Sequence, residues 1–95
     1  MTIYEFSEMV DQNLVIEFRA VRRDPTTGEP IPYYAQLANS DIKDDIFLRH
    51  TFGNGRSPQE AISNYVRKIK GQTIVFYGHN KEMRKEYRVP ESLTA

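Results

Sequence analysis

The residues that come closest to a chemical site are Gly-Asn-Gly-Arg-Ser-Pro, at positions 53–58, which lead into a helix-like run. Free N–H groups at a helix N-terminus attract phosphate or carboxylate, and Arg56 would add positive charge there. The nucleotide-binding motifs do not fit, because Pro58 stands where the dinucleotide fingerprint has its third glycine and no Gly-Lys-Ser/Thr is present. The pattern therefore argues against a mononucleotide or dinucleotide site.

The same segment is typical of a helix start. Ser57 suits the N-cap, Pro58 suits the first helical position because its missing N–H needs no partner there, and Glu60 completes a Ser-x-x-Glu capping box. Gly53 and Gly55 fit a tight turn between a strand and the helix. We therefore predict a capped helix without a ligand at its N-terminus.

The remaining residues with catalytic potential are the two histidines and an acidic cluster. His50 and His79 have no sequence neighbour at metal-binding spacing. Asp41, Asp44 and Asp45 lack the spacing and the distal glutamate of a calcium loop and fit a solvated linker. No serine lies in a Gly-x-Ser-x-Gly elbow. We predict no catalytic residue, no metal site, no cofactor and no enzymatic activity.

Composition and charge restrict the class of protein. The chain has 95 residues, no cysteine and zero net charge, and it contains no apolar run of membrane-spanning length. These features predict one soluble domain over residues 1–95, located in the cytoplasm. The charge is divided, at about −5 for residues 1–48 and about +5 for residues 49–95. A neutral total argues against a general nucleic-acid coat protein, whereas the division permits a local basic patch.

Hydrophobic periodicity predicts an N-terminal helix and a strand meander. Thr2 and Glu5 have capping-box spacing, which favours a helix over residues 2–11. Alternation predicts strands at 13–23, 32–39 and 46–52. These ranges enclose a turn-rich segment at 24–30 and a polar link, Ser-Asp-Ile-Lys-Asp-Asp, at 40–45.

A second helix follows Ser57, with an apolar stripe at helical spacing and Gly71 placed to end it. Strands are predicted at 72–77 and 85–89, and the last residues, 91–95, are expected to fray. The predicted fold is α+β: helix, three-stranded antiparallel meander, helix, then one or two further strands, with the helices on one face of the sheet.

The spacing Gly-x-Gly-x-Ser-x-x-x-Ala, preceded by a helix and three strands, is similar to the double-stranded-RNA-binding domain. Pro58, Gln59 and Ile62 stand where that family has phosphate-binding lysines. The order Tyr-Tyr-Ala-Gln-Leu, Gly-Asn-Gly-Arg-Ser-Pro-Gln-Glu-Ala-Ile and Gln-Thr-Ile-Val-Phe-Tyr, over residues 33–77, more closely resembles the HicB-like antitoxin fold. The resemblance implies a small protein of phage or mobile-element type.

Two surfaces are candidates for binding. A nucleic-acid surface would use a basic set formed by Arg56, Lys81, Arg84, Lys85 and Arg88. Arg67, Lys68 and Lys70 are better explained as complements to the helix C-terminus. A protein surface, or a homodimer contact, would use the uncovered sheet face, whose expected residues are Arg19, Val21, Tyr34, Phe47, Arg49, Val75 and Tyr77.

These observations favour a small non-enzymatic binding module that acts through protein–protein contact, as an inhibitor or antitoxin-like partner. Nucleic-acid binding through the basic set is the alternative. The partner, a macromolecule, is not identified by the sequence.

Overall fold

A computed structural model describes all 95 residues of the chain and has two helices and seven strands. Helix α1 (Ile3–Val10) begins with the predicted capping box, in which the Thr2 side chain accepts from the Glu5 N–H and the Glu5 carboxylate accepts from the Thr2 N–H. Asp11 ends the helix in the left-handed conformation. The predicted helix over residues 2–11 is confirmed.

The first sheet is antiparallel throughout and has the strand order β1 (Leu14–Phe18), β2 (Tyr33–Leu37), β5 (Gly53–Gly55). Strands β1 (Leu14–Phe18) and β2 (Tyr33–Leu37) form the predicted hairpin. Asp24 stabilises its loop by accepting from the N–H groups of Thr26 and Thr27 at 2.7 and 3.1 Å. The predicted first strand is too long, because residues 19–23 leave the ladder except for one bridge between Arg23 and Pro30.

The second sheet has the order β4–β3–β6–β7, with β3 (Ser40–Asp44), β4 (Phe47–Arg49), β6 (Thr73–Phe76) and β7 (Lys85–Arg88). The prediction that residues 40–45 are a polar link is wrong. Ser40 and Ile42 are buried on one face of β3, and Asp41 and Lys43 lie on the other. Ser40 enters the core because its hydroxyl donates to the Leu37 carbonyl at 2.5 Å.

The predicted strand at 46–52 is too long, because only Phe47–Arg49 form a strand. Its first part is β4, which pairs with β3, and the chain then reaches β5 (Gly53–Gly55) in the first sheet. The predicted three-stranded meander is therefore formed by β1, β2 and β5. Its third strand is the glycine segment, and the β3–β4 hairpin lies between β2 and β5 in the chain. The predicted strands at 72–77 and 85–89 correspond to β6 and β7.

Helix α2 (Pro58–Ile69) packs on β5, and the two glycines are the reason that it can. A Cβ on Gly53 would lie 2.2 Å from the Ala61 carbonyl oxygen, and one on Gly55 would lie 2.4 Å from the Ala61 nitrogen. Neither glycine has a positive φ, so their role is close approach of strand to helix rather than the tight turn expected from the sequence. Gly71, with φ +76°, ends the helical segment as predicted.

One hydrophobic core joins the two helices to strands of both sheets. It combines the buried faces of α1 and α2 with residues of both sheets, including Ile3, Phe6, Leu37, Tyr65 and Phe76. The predicted α+β class is confirmed, although the strands form two sheets where the prediction had one.

The C-terminal residues differ from the expectation that they fray. Leu93 is buried in the core, the Ile3 N–H donates to the Thr94 carbonyl at 2.7 Å, and Thr2 and Thr94 form a parallel bridge. An apolar side chain and two backbone contacts hold the tail against α1. No helix of the protein is long and apolar enough to cross a membrane.

Candidate functional site

The residues predicted to share one open sheet face are divided among several environments. Arg19 and Tyr34 lie on the outer face of the first sheet, and Phe47 and Arg49 lie on β4 of the second sheet. Val75 is 0% exposed and faces away from the side on which Phe47 lies, so its predicted place on an open surface is wrong. The full set is Arg19, Val21, Tyr34, Phe47, Arg49, Val75 and Tyr77, and it does not form one continuous surface.

Strand β1 presents an open edge, since β2 is its only partner. The Arg19 N–H donates to the Pro32 carbonyl and the Ala38 N–H donates to the Asn13 carbonyl. Because hydrogen-bonded pairs alternate along an antiparallel ladder, the N–H and C=O groups of Leu14, Ile16 and Phe18 point away from β2. This free edge is also apolar in its side chains.

The exposed fractions are 41% for Ile16 and 63% for Phe18, and Val21, just beyond the strand, is 91% exposed. Natural sheets blunt such edges with lysine, proline or a covering element. Neither lysine nor proline occurs in β1. Unpaired backbone groups and exposed apolar side chains together are the features of an edge that accepts another strand.

A second surface lies on the outer face of the first sheet and is built from aromatic rings and cations. The rings of Tyr34 and Phe52 stack at 4.8 Å with an interplanar angle of 26°. Arg19 lies 4.6 Å above the Tyr34 ring, and Arg22 and Lys68 lie 5.1 and 5.5 Å from the Phe52 ring centre. Cations placed over ring faces are attracted by the ring quadrupole, by about 0.5–1 kcal/mol at exposed sites. We call these five residues the cation–aromatic cluster.

Tyr34 anchors this cluster from a buried position, at 5% exposed. Burial raises the pKa of Tyr34, although the nearby Arg19 acts in the opposite direction. Its hydroxyl lies 3.0 Å from Nε2 of His50, and Nδ1 of His50 lies 3.9 Å from the Asp41 carboxylate. Both ring nitrogens of His50 therefore face protein groups. The contact with Tyr34 has hydrogen-bond length, whereas the contact with Asp41 is longer than a hydrogen bond.

Spacing along the chain gave His50 no neighbouring ligand, but the fold brings the Asp41 carboxylate near it. Asp41 comes close to His50 because residues 40–44, predicted as a link, form strand β3 and pair with β4. Asp41 and His50 also line a polar cleft of about 420 Å³. Its lining residues are Gln36, Asn39, Ser40, Asp41, His50, Tyr77, Gly78, His79 and Asn80.

This cleft brings both histidines to one cavity, which sequence spacing did not indicate. Gln36 lines the cleft, and its Oε1 is buried without a hydrogen-bond partner in the protein. No cluster of three or more metal-ligating side chains lies here or elsewhere in the protein. The cleft is lined mainly by side chains that can form hydrogen bonds.

Arg56, the first residue of the predicted basic set, is paired with acids. Its guanidinium lies 3.5 Å from Glu29 and 3.4 Å from Glu60, and its backbone N–H donates to the Glu60 carboxylate. The Ser57 hydroxyl accepts from the Glu60 N–H at 3.1 Å. The N-cap bond of α2, from the Glu60 N–H to the Ser57 hydroxyl, is as predicted. The second bond differs, because the Glu60 carboxylate accepts from the N–H of Arg56 and not from that of Ser57. Side chains therefore already accept from two of the N–H groups at this end, those of Arg56 and Glu60.

The other predicted nucleic-acid residues lie on or before β7, in the second sheet. Arg84 and Arg88 share one face of the strand, whereas Lys85 pairs with Phe76 on the opposite face. Arg84 contacts Glu86 at 3.3 Å. Lys81 and Arg88 are exposed and form no ion pair. The basic set is therefore spread over both faces of one sheet and the start of α2.

Sequence reasoning did not find Arg22, Phe52 or Lys68 as site residues. The sequence suggested that the charge of Lys68 complements the C-terminus of α2. Its ammonium instead donates to the Phe52 carbonyl at 2.9 Å. Arg22 follows β1 in a loop whose path the sequence does not fix. One signal in the sequence pointed to Phe52. It lies two residues after His50, and in an extended chain residues at this spacing project to the same side.

No protein-family model, no curated protein and no solved structure matches the chain. The resemblance to HicB-like and double-stranded-RNA-binding domains accordingly stays a prediction drawn from the sequence motifs.

Proposed function

We propose that the protein is a small non-enzymatic binding domain that takes up an extended segment of a partner protein along the free edge of β1. The observation that carries this proposal is the edge itself. Leu14, Ile16 and Phe18 direct unpaired backbone groups outward, and Ile16 and Phe18 also expose their side chains. Adding a strand satisfies the backbone groups and covers the side chains in one step.

The edge specifies the chemistry of its partner. Ile16 and Phe18 project to one side of β1, so the added strand needs apolar residues at alternate positions on that side. On the other side lie Glu17 and Arg19, which contact each other at 2.9 Å. A partner strand therefore gains from alternation of apolar residues with polar or charged ones. Full burial of one isoleucine or phenylalanine contributes about 1.5–3 kcal/mol, which gives the contact a driving force.

The test is selection of extended peptides from a random displayed library, followed by hydrogen exchange on the complex. We expect selected peptides to alternate apolar and polar residues and to protect the amides of Leu14, Ile16 and Phe18. The Ile16→Pro variant should lose binding, because proline removes an outward N–H while the ladder to β2 stays intact. Ile46→Lys, at an exposed apolar residue between β3 and β4, is the control and should retain binding.

Three results would count against the proposal: no enriched peptide, peptides that protect other amides, or peptides that still bind Ile16→Pro. If the chain alone forms a dimer that Ile16→Pro dissociates, a second copy occupies the edge, and the homodimer replaces the partner protein. Light scattering after size-exclusion chromatography makes that distinction.

The inhibitor or antitoxin-like role, the phage or mobile-element origin and the cytoplasmic location stay predictions from the sequence. Nucleic-acid binding through Arg56 and the β7 region also stays a prediction. The ion pairs of Arg56 and Arg84 reduce its support, whereas the exposed Lys81 and Arg88 keep it testable.

A further inference from the structure

A basic pocket lies between the segment that follows β4 and the last turns of α2. Its volume is about 370 Å³, and its lining residues are Arg49, His50, Thr51, Phe52 and Lys68. Three of the five carry basic nitrogen atoms, one carries a hydroxyl, and none is a carboxylate. A concave site with this lining attracts anions.

The Lys68 ammonium is held at the wall of the pocket. It donates to the Phe52 carbonyl at 2.9 Å and lies 5.5 Å from the Phe52 ring centre. An ammonium has three N–H donors, so two remain for a ligand. The contact with the carbonyl fixes the charge without neutralising it.

Arg49 faces the pocket with most of its donors free. Its one ionic contact is with Asp44 at 3.7 Å, and both side chains are largely exposed. Exposed pairs of this kind are worth about 0–1 kcal/mol, so an anion that binds two donors at once competes well against it. His50, which follows Arg49 in the chain, is hydrogen-bonded to the Tyr34 hydroxyl at 3.0 Å.

We propose that this pocket binds a phosphate group. Arg49 would bind two phosphate oxygens with its planar fork, Lys68 would supply a second charge, and the Thr51 hydroxyl would donate to a third oxygen. The Thr51 hydroxyl now donates to the Arg49 carbonyl at 3.3 Å, a long contact that it can exchange for a ligand.

The surroundings favour a phosphate ester of a nucleotide over free phosphate. Arg22 lies over the Phe52 ring and Arg19 over the Tyr34 ring, beside the pocket. A guanidinium stacked on a ring by one face leaves its other face for a nucleobase, and stacking on arginine planes is common in recognition of single strands. The proposal is independent of the β1 edge and uses residues outside the basic set predicted from the sequence.

The experiment is a titration of the ¹⁵N-labelled protein with sodium phosphate, adenosine monophosphate and a fluorescent single-stranded oligonucleotide, each against sodium chloride of equal ionic strength. We expect amide shifts at residues 49–52. Shifts with phosphate alone identify a small-anion site. Larger shifts or tighter binding with the nucleotide or the oligonucleotide identify the ester as the ligand.

The discriminating variants remove two charges each. Arg49→Gln with Lys68→Met should weaken oligonucleotide binding at least about tenfold and reduce the slope of log K against log salt by roughly 1.4, the value for two phosphate contacts on a single strand. Lys81→Met with Arg88→Gln is matched in charge and should change affinity less than threefold. Arg49→Gln alone serves if the double variant does not fold, as judged by thermal melting.

The proposal is overturned if none of the three ligands shifts residues 49–52 beyond the chloride control. It is also overturned if the Arg49/Lys68 variant binds as the wild type does. Loss of binding in the Lys81/Arg88 variant instead would assign the nucleic-acid surface to the β7 region.

Discussion

Gly53 and the carbonyl of Ala61 are so close that no other residue type fits at position 53, because a Cβ there would lie 2.2 Å from that oxygen. The glycine segment, which first looks like a phosphate cradle, is therefore the place where α2 packs directly on a strand. Its two glycines serve the core, and the anion site that we propose lies elsewhere, near the other end of the helix.

The first prediction follows from this contact. Gly53→Ala should destabilise the protein by about 3 kcal/mol or more, because the clash is with backbone atoms of α2 that cannot rotate away. Gly78→Ala is the matched control, since its Cβ would meet the end of the flexible Leu48 side chain. Urea unfolding measures both variants. Equal stability of the two would show that α2 can move off β5.

Tyr65 carries the second prediction. Its hydroxyl, buried in the core, accepts from the Leu37 N–H at 3.0 Å and lies 3.4 Å from the Ser40 hydroxyl. Tyr65→Phe leaves the Leu37 N–H without a partner, which should cost about 1–3 kcal/mol. Tyr4→Phe, on an exposed residue, controls for the loss of a hydroxyl. A Tyr65→Phe protein as stable as the wild type would mean that another group satisfies Leu37.

The third prediction concerns pH and the same tyrosine. Burial raises the pKa of Tyr65 above its ordinary value of 10.0, although hydrogen bonds to Ser40 and Leu37 act in the opposite direction. The folded protein therefore keeps the phenol neutral after the unfolded chain has begun to ionise. This contribution to stability is complete below pH 10 and is lost as the pH rises through the folded pKa.

The stability difference between the wild type and Tyr65→Phe should accordingly shrink as the pH rises above about 10, near the ordinary tyrosine value. Urea titrations at intervals from pH 7 to pH 11 measure it. A difference that stays constant over this range would contradict the assignment of the raised pKa to Tyr65.

Leu93 carries the fourth prediction. Because this side chain is buried among core residues, Leu93→Ala should cost about 2–5 kcal/mol. Ser92→Ala, one residue earlier and exposed, should be nearly neutral. If both variants melt at the wild-type temperature, the last residues do not contribute to the core and the original expectation of fraying is correct.

Much of the fold was predictable because apolar spacing decides it. The stripe on α2, the Thr2–Glu5 capping box and the alternation along β2 each indicated the observed element. Strand β3 was missed because Ser40, a polar residue, is buried, and it is accommodated only through contacts with Leu37 and Tyr65 that lie in other elements. The hydrophobic pattern of neighbouring residues carries no information on contacts of this kind.

The candidate sites were less predictable, and for the same reason. Arg19 and Tyr34 were expected on one face from the alternation of paired strands, and they are together. Phe52 and Lys68, which are in contact, lie 16 residues apart in the sequence. His50 contacts Asp41 only because the segment after β4 lies beside β3. These meetings depend on the path of the chain between the sheets, which residue types alone do not specify.

The bridge between Thr2 and Thr94 makes the backbone almost a closed ring. A circularly permuted chain, with a short linker joining residues 95 and 1 and new ends in the exposed turn at 25–27, would keep every core contact. The Ile3–Thr94 hydrogen bond, now separated by nearly the whole chain, would become local. The cut also places β1 and β2 at opposite ends of the permuted chain, so the five register pairs of their hairpin become distant in sequence. Since folding slows as contacts become more distant in sequence, this permutant should fold more slowly than the natural order while keeping a similar stability.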